Sequence, residues 1–206
     1  LTITEGENST LAVEDAEGNP VADGALLYLG DELTVTYSAD TGYDVKCYIN
    51  GVEAGESPDT YTVGLCDDIA ISTVATIKTF ELSITEGENS TVTVTSGEGD
   101  SLVTYSDGDM IDYGTELTIT ATPATGYNLT TFTVNGVSKT GSNPDTHSVS
   151  DAITVVTAAT IKTYTLTLTQ GANTTLTVLD GETPVANGAS VAHGTVLTVS
   201  ATASDG

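Results

Sequence analysis

"LSITEGENSTVTV", residues 82–94, recurs as "LTITEGENSTLAV" at 1–13 and as "LTLTQGANTTLTV" at 166–178. All three follow one plan. Apolar and polar residues alternate on either side of a short turn containing Gly and Asn. Period-two alternation gives a strand one apolar face. Gly and Asn tolerate the backbone that a tight turn demands. The stretch therefore reads as the opening hairpin of a small β-module, present three times.

Further blocks repeat in the same order. "GDELTVTYSADTGY" (30–43) matches "GTELTITATPATGY" (114–127), and "GTVLTVSATASDG" (194–206) follows in the third copy. "NGV" recurs at 50–52 and 135–137, "PDT" at 58–60 and 144–146, and "ATIKTF" (75–80) matches "ATIKTY" (159–164). A period of about 80 residues marks a tandem array. The expected modules are 1–78, 79–162 and 163–206. The third lacks counterparts of "YNLTTFTVNG" and "AITVVTAATIK", so it is expected to be incomplete, with open strand edges. Either the sequence is a window on something longer, or another molecule donates the missing strands.

The predicted fold is all-β: tandem sandwich-like modules of six or seven short strands. Alternation is clean at Leu1-Ile3, Leu33-Val35, Val92-Val94, Leu117-Ile119-Ala121, Ile153-Val155 and Leu197-Val199. At the junctions its phase slips. Apolar parity is odd through Ile69, Ile71 and Ile77, then even at Phe80, Leu82 and Ile84. The slip falls at Lys78-Thr79 and again at Lys162-Thr163. A one-residue slip turns the apolar side to the opposite face. One extended segment is thus expected to leave one core and enter the next. No Gly/Ser- or Pro-rich linker intervenes, which predicts a stiff rod.

Composition narrows the function. Of 206 residues, 40 are Thr, a β-branched excess that favours strands. Trp is absent and only two Phe occur, which suits several small cores. Acidic residues number 29 against four Lys (Lys46, Lys78, Lys139, Lys162), with no Arg, for a net charge of −25. Nucleic-acid binding and anionic membranes both require basic clusters, so neither is expected. No stretch has the apolar length of a membrane span. The two His, His147 and His193, have no nucleophile, phosphate-loop or zinc motif beside them, so no enzyme and no cofactor is expected.

Other residue types raise specific expectations. Cys47 and Cys66 are the only cysteines and lie in one copy. They are candidates for a disulfide in an oxidising compartment, worth roughly 3 kcal/mol for a loop of that size; two buried thiols are the alternative. Asn8, Asn89, Asn128 and Asn173 head Asn-x-Ser/Thr sequons, candidate glycosylation sites if the source modifies Asn. Asp107, Asp109 and Asp112 in "SDGDMID" are Ca²⁺ candidates, although a solvated acidic loop is the better reading because no full ligand set can be assembled.

"YGTELTITATPATGYNLTTFTVNGV" (113–137) resembles the divergent internalin-type B-repeats of bacterial surface proteins. The features are Gly114, the strand Leu117 to Pro123, the Gly126-Tyr127 turn, and Phe132-Thr133-Val134-Asn135-Gly136. The first copy keeps Gly30, Leu33 to Tyr37, Gly42-Tyr43 and Asn50-Gly51. The aromatic position, usually Trp, is taken by Tyr48 or Phe132. The resemblance implies tandem β-modules in large exported proteins, serving as spacers or adhesive stalks. The expectation is a structural spacer of an extracellular or cell-surface protein or filament. Its partners would be neighbouring modules or copies of itself. The alternatives are an adhesin module for surface glycans or host and matrix proteins, and a fibre subunit completed by strand donation.

Overall fold

Period-two alternation becomes strand almost wherever the sequence carries it. The computed structural model describes residues 1–65 and 68–203. Among them the only helical element is a 3-10 turn, Gly99–Ser101; the rest of the regular structure is β. The chain divides into two compact units. One is Leu1–Glu81 with Met110–Thr115 and Ser148–Ala152. The other is Leu82–Asp109 with Glu116–His147 and Ile153–Gly206.

The first sequence copy holds seven strands: β1 (Thr2–Thr4), β2 (Ser9–Glu14), β3 (Glu32–Ala39), β4 (Tyr43–Ile49), β5 (Val52–Glu53), β6 (Asp59–Thr62) and β7 (Ala70–Ile77). They form two sheets, ordered β2-β3-β6 and β1-β7-β4-β5. β1 runs parallel to β7, with Ile3 opposite Ile71; the other pairs are antiparallel. The sheets face each other through β2 on β7 and β3 on β4, a small sandwich. Every second residue points inward. Val13, Leu33, Val35, Cys47, Ile49, Val63, Ile69 and Ile71 make the core. Asn50 and Gly51 both have positive φ (51° and 79°), as the tight β4–β5 hairpin requires.

The second copy repeats this plan with β8 (Thr79–Thr85), β9 (Ser90–Ser96), β10 (Val103–Tyr105), β11 (Met110–Asp112), β12 (Glu116–Pro123), β13 (Tyr127–Val134), β14 (Val137–Ser138), β15 (Asp145–Ser148) and β16 (Ile153–Ile161). β8 runs parallel to β16 from Leu82–Ile153 onward, as β1 does to β7. Leu82, Val94, Leu117, Ile119, Phe132, Val134, Ile153 and Val155 are fully buried. Strands number nine, above the six or seven expected, because β10 and β11 find partners. Their counterparts in the first copy are a single bridge, Glu14–Pro20, and Leu26–Tyr28, which has no strand partner among the described residues. Register also corrects one sequence assignment. Phe132 lies opposite Thr157 as Cys47 lies opposite Thr73, so the aromatic position is filled by Cys47, not Tyr48.

The third copy contributes β17 (Thr163–Thr165), β18 (Thr174–Asp180), β19 (Thr183–Pro184), β20 (Ser190–Ala192) and β21 (Leu197–Ala203). They pair as β17-β20 and β19-β18-β21. Val199 is 62% exposed, whereas its counterparts Val35 and Ile119 are fully buried.

Candidate functional site

Two features recur with the repeat, the acidic turn and the junction. In the turn, almost every residue has a structural task. Glu5 accepts a hydrogen bond from Leu11 N–H (2.8 Å) and Glu86 from Val92 N–H (2.5 Å). Leu11 lies on the edge strand β2, and Val92 lies on β9 beyond the residues that β10 pairs, so the carboxylates occupy donors that would otherwise recruit another strand. A Cβ on Gly6 would fall 2.4 Å from the Thr73 carbonyl oxygen, and one on Gly87 the same distance from that of Thr157. Asn8, Asn89 and Asn173 all take left-handed backbone, φ 57°, 59° and 56°. The buried Ser9 and Thr73 hydroxyls share a hydrogen bond (2.8 Å), as do Ser90 and Thr157 (2.9 Å), tying one sheet to the other.

A second turn docks on the first strand of each copy. Asp23 accepts from Ile3 N–H, Asp107 from Ile84 N–H and Asn187 from Leu168 N–H. The following glycine amide donates back to Leu1, Leu82 or Leu166. Asp109 accepts from Ser106 N–H, and Asp112 sits in β11 opposite Thr79. The three aspartates thus have separate places. Among the described residues no group of three or more His, Cys, Asp or Glu side chains is placed to hold a metal ion.

At the first junction, β7 ends at Ile77 and β8 begins at Thr79, so the phase slip is a one-residue break at Lys78. Ile71 and Thr73 are buried before it and Leu82 after it, so burial passes from odd to even positions across Lys78. Lys78 N–H donates to Gly42 O (2.9 Å), and Tyr113 N–H donates to Lys78 O (2.8 Å). The Tyr113 ring lies on Gly42, where a Cβ would come within 2.1 Å of Cδ1. Thr79 continues the contact by pairing with Asp112. All of this lies inside the first unit.

The second unit holds the same arrangement at the next junction. Lys162 N–H donates to Gly126 O (2.8 Å), and His193 N–H donates to Lys162 O (2.7 Å). The His193 ring covers Gly126, with Cδ2 2.0 Å from a built Cβ. It also stands 6.2 Å from the Tyr164 ring. Thr163 pairs with Ala192. Lys78 Nζ reaches Asp44 at 3.5 Å across an exposed surface, so the backbone of these lysines matters more than their charge.

The junction rings are the residues that sequence reading missed. Neither Tyr113 nor His193 belongs to a motif that sequence analysis singles out, and His193 stands exposed at the surface. The signal was present: Tyr113 and His193 occupy the same alignment position, directly before the glycine of "GTEL" and "GTVL". His147 is half-buried, and its Nε2 is buried without a hydrogen-bond partner among the described residues.

The remaining candidates are dispersed. Asn8, Asn89, Asn128 and Asn173 are all exposed. Cys47 is buried in the core, and burial pushes its thiol above the ordinary range. Cys66, its candidate disulfide partner, lies outside the described residues. Two concavities, of 470 and 440 Å³, lie beside the repeated turns. The first is lined by Ile3, Glu5, Glu14 and Asp23 among others, the second by Ile84, Glu86, Tyr105 and Asp107. With at most one aromatic each, neither has the aromatic ring expected of a sugar site. No helix among the described residues is long and apolar enough to cross a membrane.

Residues 80–159 match the family described as the divergent InlB B-repeat domain, the family that the motifs of the second copy resemble. No curated protein matches the chain. Among solved structures, the major pilin protein (T-13) of Streptococcus pyogenes is similar at 11% identity and a TM-score of 0.38, over 78% of this chain and 95% of that one. A likeness at that level carries no argument about function.

Proposed function

We propose that the chain is a structural spacer segment of an exported microbial surface protein or filament. The observation that supports this most is the junction. Both copy-to-copy connections use the same three-part device: a turn glycine, a lysine backbone and an aromatic ring. A spacer depends on such a repeated, hydrogen-bonded connector to hold its modules in series. The B-repeat match of the second copy agrees, and a net charge of −25 keeps such surfaces apart in solution.

Single-molecule extension of the chain tests the reading. The spacer account expects discrete unfolding steps, each complete copy releasing about 80 residues at roughly 3.5 Å per residue, less its folded length. Smooth extension without steps contradicts it. A parallel screen against glycans and matrix proteins separates the adhesin alternative, which requires saturable binding.

A further inference from the structure

We propose that Leu26–Leu29 is a docking edge for the closing strand of another copy of this repeat. That strand is an extended Ile-Lys-Thr-Phe/Tyr segment, running antiparallel to Leu26–Tyr28 and in line with Leu1. The inference does not depend on where the protein works. It rests on a gap-free correspondence among "ADGALLYLG" (22–30), "SDGDMIDYG" (106–114) and "ANGASVAHG" (186–194).

In the second and third of these the middle residues are a paired strand. Met110, Ile111 and Asp112 face Glu81, Phe80 and Thr79. Ser190, Val191 and Ala192 face Thr165, Tyr164 and Thr163. In both cases the partner is the segment directly after the closing lysine. In both cases the next amide, Tyr113 or His193, donates to that lysine's carbonyl.

Leu26–Leu29 has the same preparation and no such partner among the described residues. The turn ahead of it is set, with Asp23 on Ile3 N–H and Gly24 N–H on Leu1 O. Leu27 packs against the core, as the buried Ile111 does in its copy. Outside stand Leu26, Tyr28 and Leu29, 88%, 74% and 67% exposed. Three adjacent large apolar side chains on so acidic a chain are not explained by solubility. The Leu1 amino group lies 3.3 Å from Ala25 O. It occupies the place of the Leu82 and Leu166 amides, which donate to Asp109 O and Ala189 O. A strand in line with Leu1 therefore runs along Leu26–Tyr28 and adds by main-chain pairing. Leu29 stands where Tyr113 and His193 cover a turn glycine, and seats on that glycine of the incoming copy.

The test compares residues 1–206 with an extended chain in which a further copy of residues 79–162, followed by Thr-Tyr-Thr, precedes Leu1. Amide hydrogen exchange is read at Leu29, with Ile71 as an internal reference for the fold. The expected result is at least tenfold slower exchange at Leu29 in the extended chain, with Ile71 unchanged. A second extended chain, with Pro in place of the incoming Tyr, should return Leu29 to its original rate. Equal Leu29 exchange in 1–206 and the first extended chain overturns the proposal.

Discussion

Ser90 on β9 and Thr157 on β16, 67 residues apart in the chain, show how residues of two different sheets come to depend on each other. Their hydroxyls share a buried hydrogen bond, and Ser90 also donates to Gly87 O. Thr157→Val removes one partner and leaves the Ser90 hydroxyl poorly satisfied. The expected cost is about 1–3 kcal/mol in urea unfolding, with Thr73→Val behaving alike. Asp107 offers a sharper comparison. Asp107→Ala should cost about 1–2 kcal/mol by freeing Ile84 N–H, whereas Asp107→Asn should be nearly neutral, because Asn187 already does the same task in the third copy. Asp15 makes a pH prediction. The Asn19 side chain and backbone hold its carboxyl below the ordinary value of 3.8. A depressed carboxyl contributes stability above its unfolded pKa and loses it as pH falls through the folded one. A carboxyl NMR titration should therefore place the Asp15 midpoint below 3.8. At this scale the turn was legible as a turn, since Asn and Gly announce it. The Ser–Thr bond was not, because strand pairing sets it and no local pattern does.

Elements are joined at a single residue. The parity slip at Lys78 and Lys162 was readable because period-two alternation records which face is buried. The ring over the glycine was not, since it brings Gly42 to Tyr113 and Gly126 to His193 across long stretches of chain. Gly126→Ala tests this connection. Its φ of 85° and the covering ring both oppose a Cβ, with a backbone cost of about 1–3 kcal/mol. The expected outcome is a lower unfolding midpoint, with the His193 ring signals moved and those of Tyr113 unmoved. Gly42→Ala should reverse that pattern. In the third copy Val199 is exposed where its counterparts Val35 and Ile119 are buried.

Over the whole molecule, charge and repetition dominate. A net charge of −25 opposes any compact state, so added salt should raise the unfolding midpoint by screening. Equal concentrations of Ca²⁺ and Mg²⁺ are expected to raise it equally, and a Ca²⁺-specific rise would support a site at the aspartates. The all-β class and the tandem plan were legible because repetition is a property of the sequence itself. What makes a connector out of a lysine backbone became visible only with the strands in register.

The central claim is that successive copies are fastened by hydrogen-bonded junctions built into the repeat. Amide exchange at Tyr113 and His193 in the intact chain tests it most directly. The account predicts both amides to be protected like the neighbouring strands, with Gly42→Ala releasing Tyr113 alone and Gly126→Ala releasing His193 alone. Exchange of both at the rate of an unstructured peptide would contradict it.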